Sequence, residues 1–121
     1  MIKYVVQSRL DGMNELILAN RGNKYAGATL KKENQEIVAW YVKAQGVEKA
    51  PKPCDIHIRW YEPNRRRDKD NITTGKKFIL DALVEVGVLQ NDGWNDIGKL
   101  SDEVFLDRET PRIEIYIRKG Q

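Results

Sequence analysis

Cys54, Ile56, Ile58 and Trp60 alternate with Asp55, His57, Arg59 and Tyr61, and Ile113, Ile115 and Ile117 alternate in the same way with Arg112, Glu114, Tyr116 and Arg118. Successive side chains of a strand point to opposite faces, so each stretch reads as a half-buried strand with one apolar and one polar face. A sheet with one apolar face must have that face covered. Helices are available to do it. From Thr29, the residues Leu30, Ile37, Tyr41 and Ala44 recur at spacings of seven, four and three, with Lys and Glu between them and Gly46 just beyond. That spacing predicts an amphipathic helix. Ile72, Ile79, Leu83 and Val86 form a second apolar stripe at roughly 100° per residue and predict a helix from about Ile72 to Val86. The predicted class is therefore α+β, a small mixed β-sheet with helices packed on one face.

The remaining elements are shorter. Residues 2 to 7 (IKYVVQ) predict a strand, which Asp11-Gly12-Met13-Asn14 interrupts with turn chemistry. Asn14 is placed as the N-cap of a short helix running through Asn20 and closed by Gly22. Pro51-Lys52-Pro53 ends the connection before the Cys54 strand, and EVFLD at 103 to 107 is expected to pair with the C-terminal strand as a hairpin. Trp40 and Trp60 are assigned to the core. Trp94 is expected to anchor a loop on the core, with stacking on an unpaired base as the alternative. His57 reads as an ordinary sheet histidine. No repeat, low-complexity tract or long linker divides residues 1 to 121, which predicts one domain.

Composition excludes several classes of function. A hydrophobic share of 40% and a charged share of 32% describe a folded domain rather than a disordered one. No apolar run approaches the roughly 20 residues needed to cross a bilayer, and MIKYVVQSRL lacks the apolar core and cleavage site of a signal peptide, so a cytoplasmic protein with no membrane partner is expected. Cys54 is the single cysteine, which rules out an internal disulfide; with His57 the single histidine, a cysteine-histidine zinc site is ruled out too. Any metal must sit on oxygen ligands. The net charge of +3 is modest, but Arg65, Arg66, Arg67, Lys69, Lys76 and Lys77 crowd one stretch. Such a cluster fits a polyanionic partner, and the alternative is a solvated basic face.

That same stretch, RRRDKDN, sets Asp68 and Asp70 among the cations. In an extended segment the two carboxylates project to one side and repel, unless the arginines and a divalent cation lie between them. Hard oxygen ligands select magnesium or manganese over zinc. The other reading makes Asp70 a helix N-cap and pairs Asp68 with a surface arginine. If the following helix starts near Ile72, Lys77 lies about 10 Å along the axis from Asp70 and leans back toward it. Asp81, about 16 Å along, is too distant to share a metal with Asp70. It is then a partner of Lys77 or a group that supports the ligands from behind, and the other reading is half of a solvated i,i+4 pair.

The run RRRDKDN, the later KKFILDAL and the turn NDGW at 91 to 94 resemble the RusA family of Holliday junction resolvases of bacteria and their prophages, and Gly12-Met13-Asn14 resembles that family's N-terminal asparagine motif. The resemblance implies a Mg2+-dependent endodeoxyribonuclease, with Mn2+ as a substitute, that acts as a homodimer. Its substrate would be branched DNA, the four-way junction, resolved by paired symmetric nicks in recombination and repair. Carried over by motif, the metal ligands are Asp68, Asp70 and Asp92, and the catalytic lysine is Lys77. Thr73-Thr74-Gly75 lengthens the family spacing, so Lys76 stands as the alternative lysine. Asn14, Arg65, Arg66, Arg67, Lys69 and Lys76 are the implied DNA contacts. Asn91 replaces an aspartate of the founding resolvase, which leaves open a catalytically weak or inactive DNA-binding protein of the same fold.

Overall fold

The computed structural model describes residues 1–23 and 25–120. In chain order the elements are β1 (Ile2–Val6), α1 (Met13–Gly22), α2 (Ala26–Gln45), β2 (Cys54–Glu62), α3 (Lys69–Thr73), α4 (Lys76–Val86), β3 (Ile97–Leu106) and β4 (Arg112–Lys119). The four strands form one mixed sheet in the order β1-β4-β2-β3. β4 runs antiparallel to both β1 and β2, while β3 runs parallel to β2. The α+β class holds, and no helix is long and apolar enough to cross a membrane.

The period-two pattern is realised on the two inner strands. Cys54, Ile56, Ile58 and Trp60 of β2 and Ile113, Ile115 and Ile117 of β4 are buried on one face, together with Tyr4 and Val6 of β1. α2 covers them with Val38, Ala39 and Val42, and α4 covers them with Phe78, Ile79, Ala82 and Leu83. On the opposite, polar face the His57 ring nitrogens meet Ser101 Oγ at 2.6 Å and Glu103 Oε1 at 2.7 Å, as an ordinary sheet histidine does.

Several expectations are corrected. The segment 103–107 does not form a hairpin with the C-terminal strand. Residues 103–106 end β3, which pairs with β2 through Ile58↔Asp102 and Trp60↔Val104. The reason is the connection, because α3 and α4 lie between β2 and β3, and a helical crossover returns the chain parallel to the strand it left. Residues 107–111 then arch over the end of β2, where the Asp107 N–H donates to the Glu62 carbonyl at 2.8 Å.

The predicted helix from Ile72 to Val86 is broken into α3 and α4 at Thr74-Gly75. Packing accounts for the break. A Cβ on Gly75 would lie 3.2 Å from the Trp60 ring and 3.3 Å from Leu10 Cβ, so the backbone passes too close to the core for any larger residue to sit easily. Asn14 is not the N-cap of α1. That position is Gly12, whose N–H donates to the Glu15 carboxylate at 3.1 Å.

Two tryptophans also depart from expectation. Trp60 is buried as predicted, but Trp40 is 65% exposed and packs edge-on against Tyr41. Two residues along a helix is roughly 200°, so Trp40 faces away from the Val38–Val42 stripe. Trp94 is 99% exposed and anchors nothing on the core.

Candidate functional site

The site is built where β2 ends. Glu62, the last residue of β2, is buried, and two arginines close on it. Arg9 Nη2 donates to Glu62 Oε1 at 2.8 Å; Arg67 donates to the same oxygen through Nη2 at 2.9 Å and Nε at 3.2 Å. Arg67 Nη1 also donates to the Leu10 carbonyl at 3.0 Å. Burial pushes the Glu62 carboxyl up, but the hydrogen bonds and charges of Arg9 and Arg67 outweigh it and hold the pKa below the ordinary carboxylate value. Arg67 is therefore turned inward, with its side chain only 14% exposed, and does not stand on the surface with the other cations of its run.

This clamp delivers the chain to α3. Asp68 occupies the N-cap position in extended backbone, yet its carboxylate makes no capping hydrogen bond, and it has no ion pair among the described residues. The N-cap reading thus falls to the backbone of Asp68 rather than to Asp70. Asp70 lies in the first turn of α3, where its Oδ1 accepts the Asn71 N–H at 2.9 Å. Because Asp70 is helical, the two carboxylates do not project to one side as in an extended strand; residues two apart on a helix diverge. They open instead on two adjoining hollows between α3 and β3. One, of about 450 Å3, is lined by Asp68, Arg65, Lys69 and Phe105 among others. The other, also about 450 Å3, is lined by Lys69, Asp70, Thr73, Asp102, Glu103, Val104 and Phe105. Arg65 and Lys69 line them, Arg66 follows Arg65 in the chain, and all three are exposed and carry no ion pair among the described residues.

Helix α1 is drawn against this corner. The Asn14 N–H donates to Asn71 Oδ1 at 2.9 Å, and a Cβ on Gly12 would lie 2.6 Å from the Asn71 backbone oxygen, so only glycine permits the approach. Buried Asn34 fixes the preceding loop, accepting from the Asp11 N–H at 2.9 Å and donating to the Asp11 carboxylate at 2.7 Å. Asn14 is thus held, exposed, beside the residue that follows Asp70.

The two lysines at the start of α4 diverge. Lys76 pairs with Asp102 of β3, whose carboxylate also accepts the Trp60 indole N–H at 2.8 Å. Lys77 lies 3.0 Å from Asp81 and 3.5 Å from Asp92. The hydrogen bond to Asp81, then the charges of Asp81 and Asp92, raise the Lys77 pKa, so it stays protonated. Asp81 pairs with Lys77 in a largely exposed i,i+4 contact, which fits both the supporting partner and the solvated pair. Asp102 was missed in the sequence, although an acid in the Leu100, Asp102, Val104, Leu106 row, opposite the buried residues of β2, is the signal that marks it.

Asp92 sits on the 90–96 loop, its N–H donating to the Asn91 side chain at 2.8 Å. The loop folds back to α4, which is how Asp92 reaches Lys77. Among the described residues no three His, Cys, Asp or Glu side chains lie close enough to hold a metal ion. The donors have the right chemistry for a hard cation, being all carboxylate oxygen, but the three expected ligands do not converge within one chain.

A family model described as Endodeoxyribonuclease RusA matches residues 17–118, a span that contains all three aspartates and both lysines and leaves Asn14 outside. A search of the curated proteins finds no match.

Proposed function

The chain belongs to the RusA endodeoxyribonuclease family, whose activity is the cleavage of Holliday junctions, and on that premise we propose that residues 1 to 121 act as one metal-dependent endonuclease domain. It resolves four-way DNA junctions by paired nicks, in recombination and repair, in the cytoplasm. The observation that carries this reading is the exposed Asp68 and Asp70 carboxylates at the α3–β3 hollows, which Arg65 and Lys69 also line, cations without an ion pair among the described residues.

The cations bind and orient. A cluster of carboxylates alone repels a polyanion; Arg65, Arg66 and Lys69 offset that repulsion by contacting flanking phosphates and releasing their counterions. The assigned cofactor is Mg2+, or Mn2+ in its place; Asp68 and Asp70 would hold it, with Asp92 as a third ligand supplied from the same copy or across the homodimer. Such a cation, when bound, lowers the pKa of a coordinated water and stabilises the charge that grows on the phosphate. Magnesium commonly takes one or two protein carboxylates and fills its shell with substrate phosphate and water, which suits an exposed pair that is open to solvent.

Lys77, beside the Asp92 carboxylate, is the lysine assigned to the reaction, where its positive charge would stabilise the charge developing on the phosphate. Lys76 is the second assignment, favoured by its contact with Asp102 on the wall that Asp102 shares with Asp70. A homodimer matches the two-fold symmetry of the junction, so that each copy cuts one strand.

The test is a cleavage assay on a synthetic four-way junction, with fork and linear duplex controls. Wild type nicks the junction with Mg2+ or Mn2+, while Asp70→Asn keeps junction affinity or raises it and loses nicking. Parallel Lys77→Met and Lys76→Met variants separate the lysines, since the assigned one loses nicking and keeps binding. The second reading is a catalytically weak or inactive DNA-binding protein of the same fold, favoured by the separation of the three aspartates within one chain and by Asn91. Selective junction binding by wild type without any nicking under either metal establishes it.

A further inference from the structure

Trp94 is 99% exposed, and its indole has no hydrogen bond and no ring contact among the described residues. The largest apolar side chain is thus left in water, forfeiting the burial that normally places tryptophan in a core or an interface. The segment holding it is braced. The Gly93 carbonyl accepts both the Asp96 and the Ile97 N–H at 3.1 Å, and the Asp96 carbonyl accepts the Cys54 N–H of β2 at 3.0 Å. The Asp96 side chain is buried, 3.4 Å from Lys52. Trp94 therefore rides on a turn tied to the sheet at its C-terminal side, two residues beyond Asp92, whose carboxylate meets Lys77.

Its sequence neighbours Asn91, Gly93 and Asn95 are exposed and not apolar. A protein interface core needs a contiguous apolar patch, and this turn offers a single aromatic face among polar groups. One aromatic face among polar groups is the arrangement that stacks on a nucleobase, because every base has a π-face and needs no further apolar cover. Continuous duplex offers no such face, since its bases are stacked on both sides. The branch point of a junction does.

We propose that Trp94 stacks on a base at the branch point and so distinguishes junction from duplex, an assignment that rests on the junction-endonuclease reading above. Binding is measured without cleavage, in Ca2+, on a four-way junction carrying 2-aminopurine at the branch-point positions and on linear duplex of the same sequence. A Trp40→Phe background removes the other exposed indole, so that fluorescence changes report on Trp94. Trp94→Ala weakens junction binding by roughly 5- to 100-fold and abolishes the 2-aminopurine quenching, while duplex affinity is unchanged. Trp94→Phe stays within a few-fold of wild type. Unaltered thermal midpoints show that the fold is intact, as substitution of a fully exposed residue requires. If wild type selects junctions and Trp94→Ala selects them equally well, or weakens junction and duplex alike, the stacking role is wrong and the junction reading stands. If Trp94→Ala alters only the oligomeric state by sedimentation, the indole covers a second copy of the chain and the proposal is overturned. Failure of wild type to prefer junction over duplex overturns both.

Discussion

Replacing Arg67 by alanine tests whether the arginine run is a DNA-contacting unit or a divided one. In the fold Arg67 supplies two hydrogen bonds to Glu62 Oε1, at 2.9 and 3.2 Å, and one to the Leu10 carbonyl at 3.0 Å. Removing it leaves a buried carboxylate with Arg9 alone, at 2.8 Å. Breaking a buried ion pair by deleting one partner costs about 3–5 kcal/mol. Because Arg9 remains, a loss of about 2–3 kcal/mol is expected, enough to lower the thermal midpoint by roughly 10 °C in a chain of this size. Urea unfolding followed by Trp60 fluorescence reads it directly. The loss must depend on pH. The Glu62 carboxyl is depressed when folded, so its stabilisation is complete above its ordinary value of 4.5 and fades as pH falls through the depressed one. The gap between Arg67→Ala and wild type is therefore widest at neutral pH and narrows in acid, where a protonated Glu62 no longer needs a cation. Full stability with weakened DNA binding and a shallower salt dependence would refute the clamp and return Arg67 to the DNA surface.

Three further outcomes follow from the geometry. Arg65→Ala and Lys69→Ala should leave stability within about 0.5 kcal/mol of wild type while each lowers the slope of log affinity against log salt by about 1, read by titration at several salt concentrations. Gly75→Ala should destabilise by about 1–3 kcal/mol, because its Cβ would press on Trp60 and Leu10 at 3.2–3.3 Å, with a shift in Trp60 emission as the check. The Asp107 carboxyl is held down to about 2 by the Thr110 N–H, then by the Arg112 guanidinium and the Thr110 hydroxyl. Asp107→Asn should therefore be less stable than wild type at neutral pH, and that difference should vanish as pH falls from about 4 through about 2, which acid unfolding curves would follow.

Local periodicity carried much of the fold. The alternation over 54–61 and 112–118, the existence of α2, the apolar stripe of α4 and the α+β class all follow from which side of a short element must be dry, and that information is contained within a window of ten or fifteen residues. The buried face of α2 lies one position off the expected stripe, since Leu30, Ile37 and Tyr41 are only half-buried and Ala44 is exposed while Val38, Ala39 and Val42 are buried. The same holds for the candidate chemistry, because Asp68, Asp70 and the cations around them are adjacent in the chain, and Lys77 and Asp81 are one helical turn apart.

Only the tertiary structure decided what depends on partners distant in sequence. The parallel pairing of β3 with β2 came from a crossover through α3 and α4, and no local pattern distinguishes that from a hairpin. The inward turn of Arg67 required Glu62 and Leu10 to be waiting for it; its neighbours Arg65 and Arg66, identical in type, remained outside. The break at Gly75 was set by the Trp60 ring, and whether three carboxylates gather in one place is a question of the whole fold, which among the described residues gathers no such three. Residue type and spacing determine which face of an element seeks burial and which charges are on offer. Which charge meets which, and which indole is left in water, is settled by the packing of the whole chain.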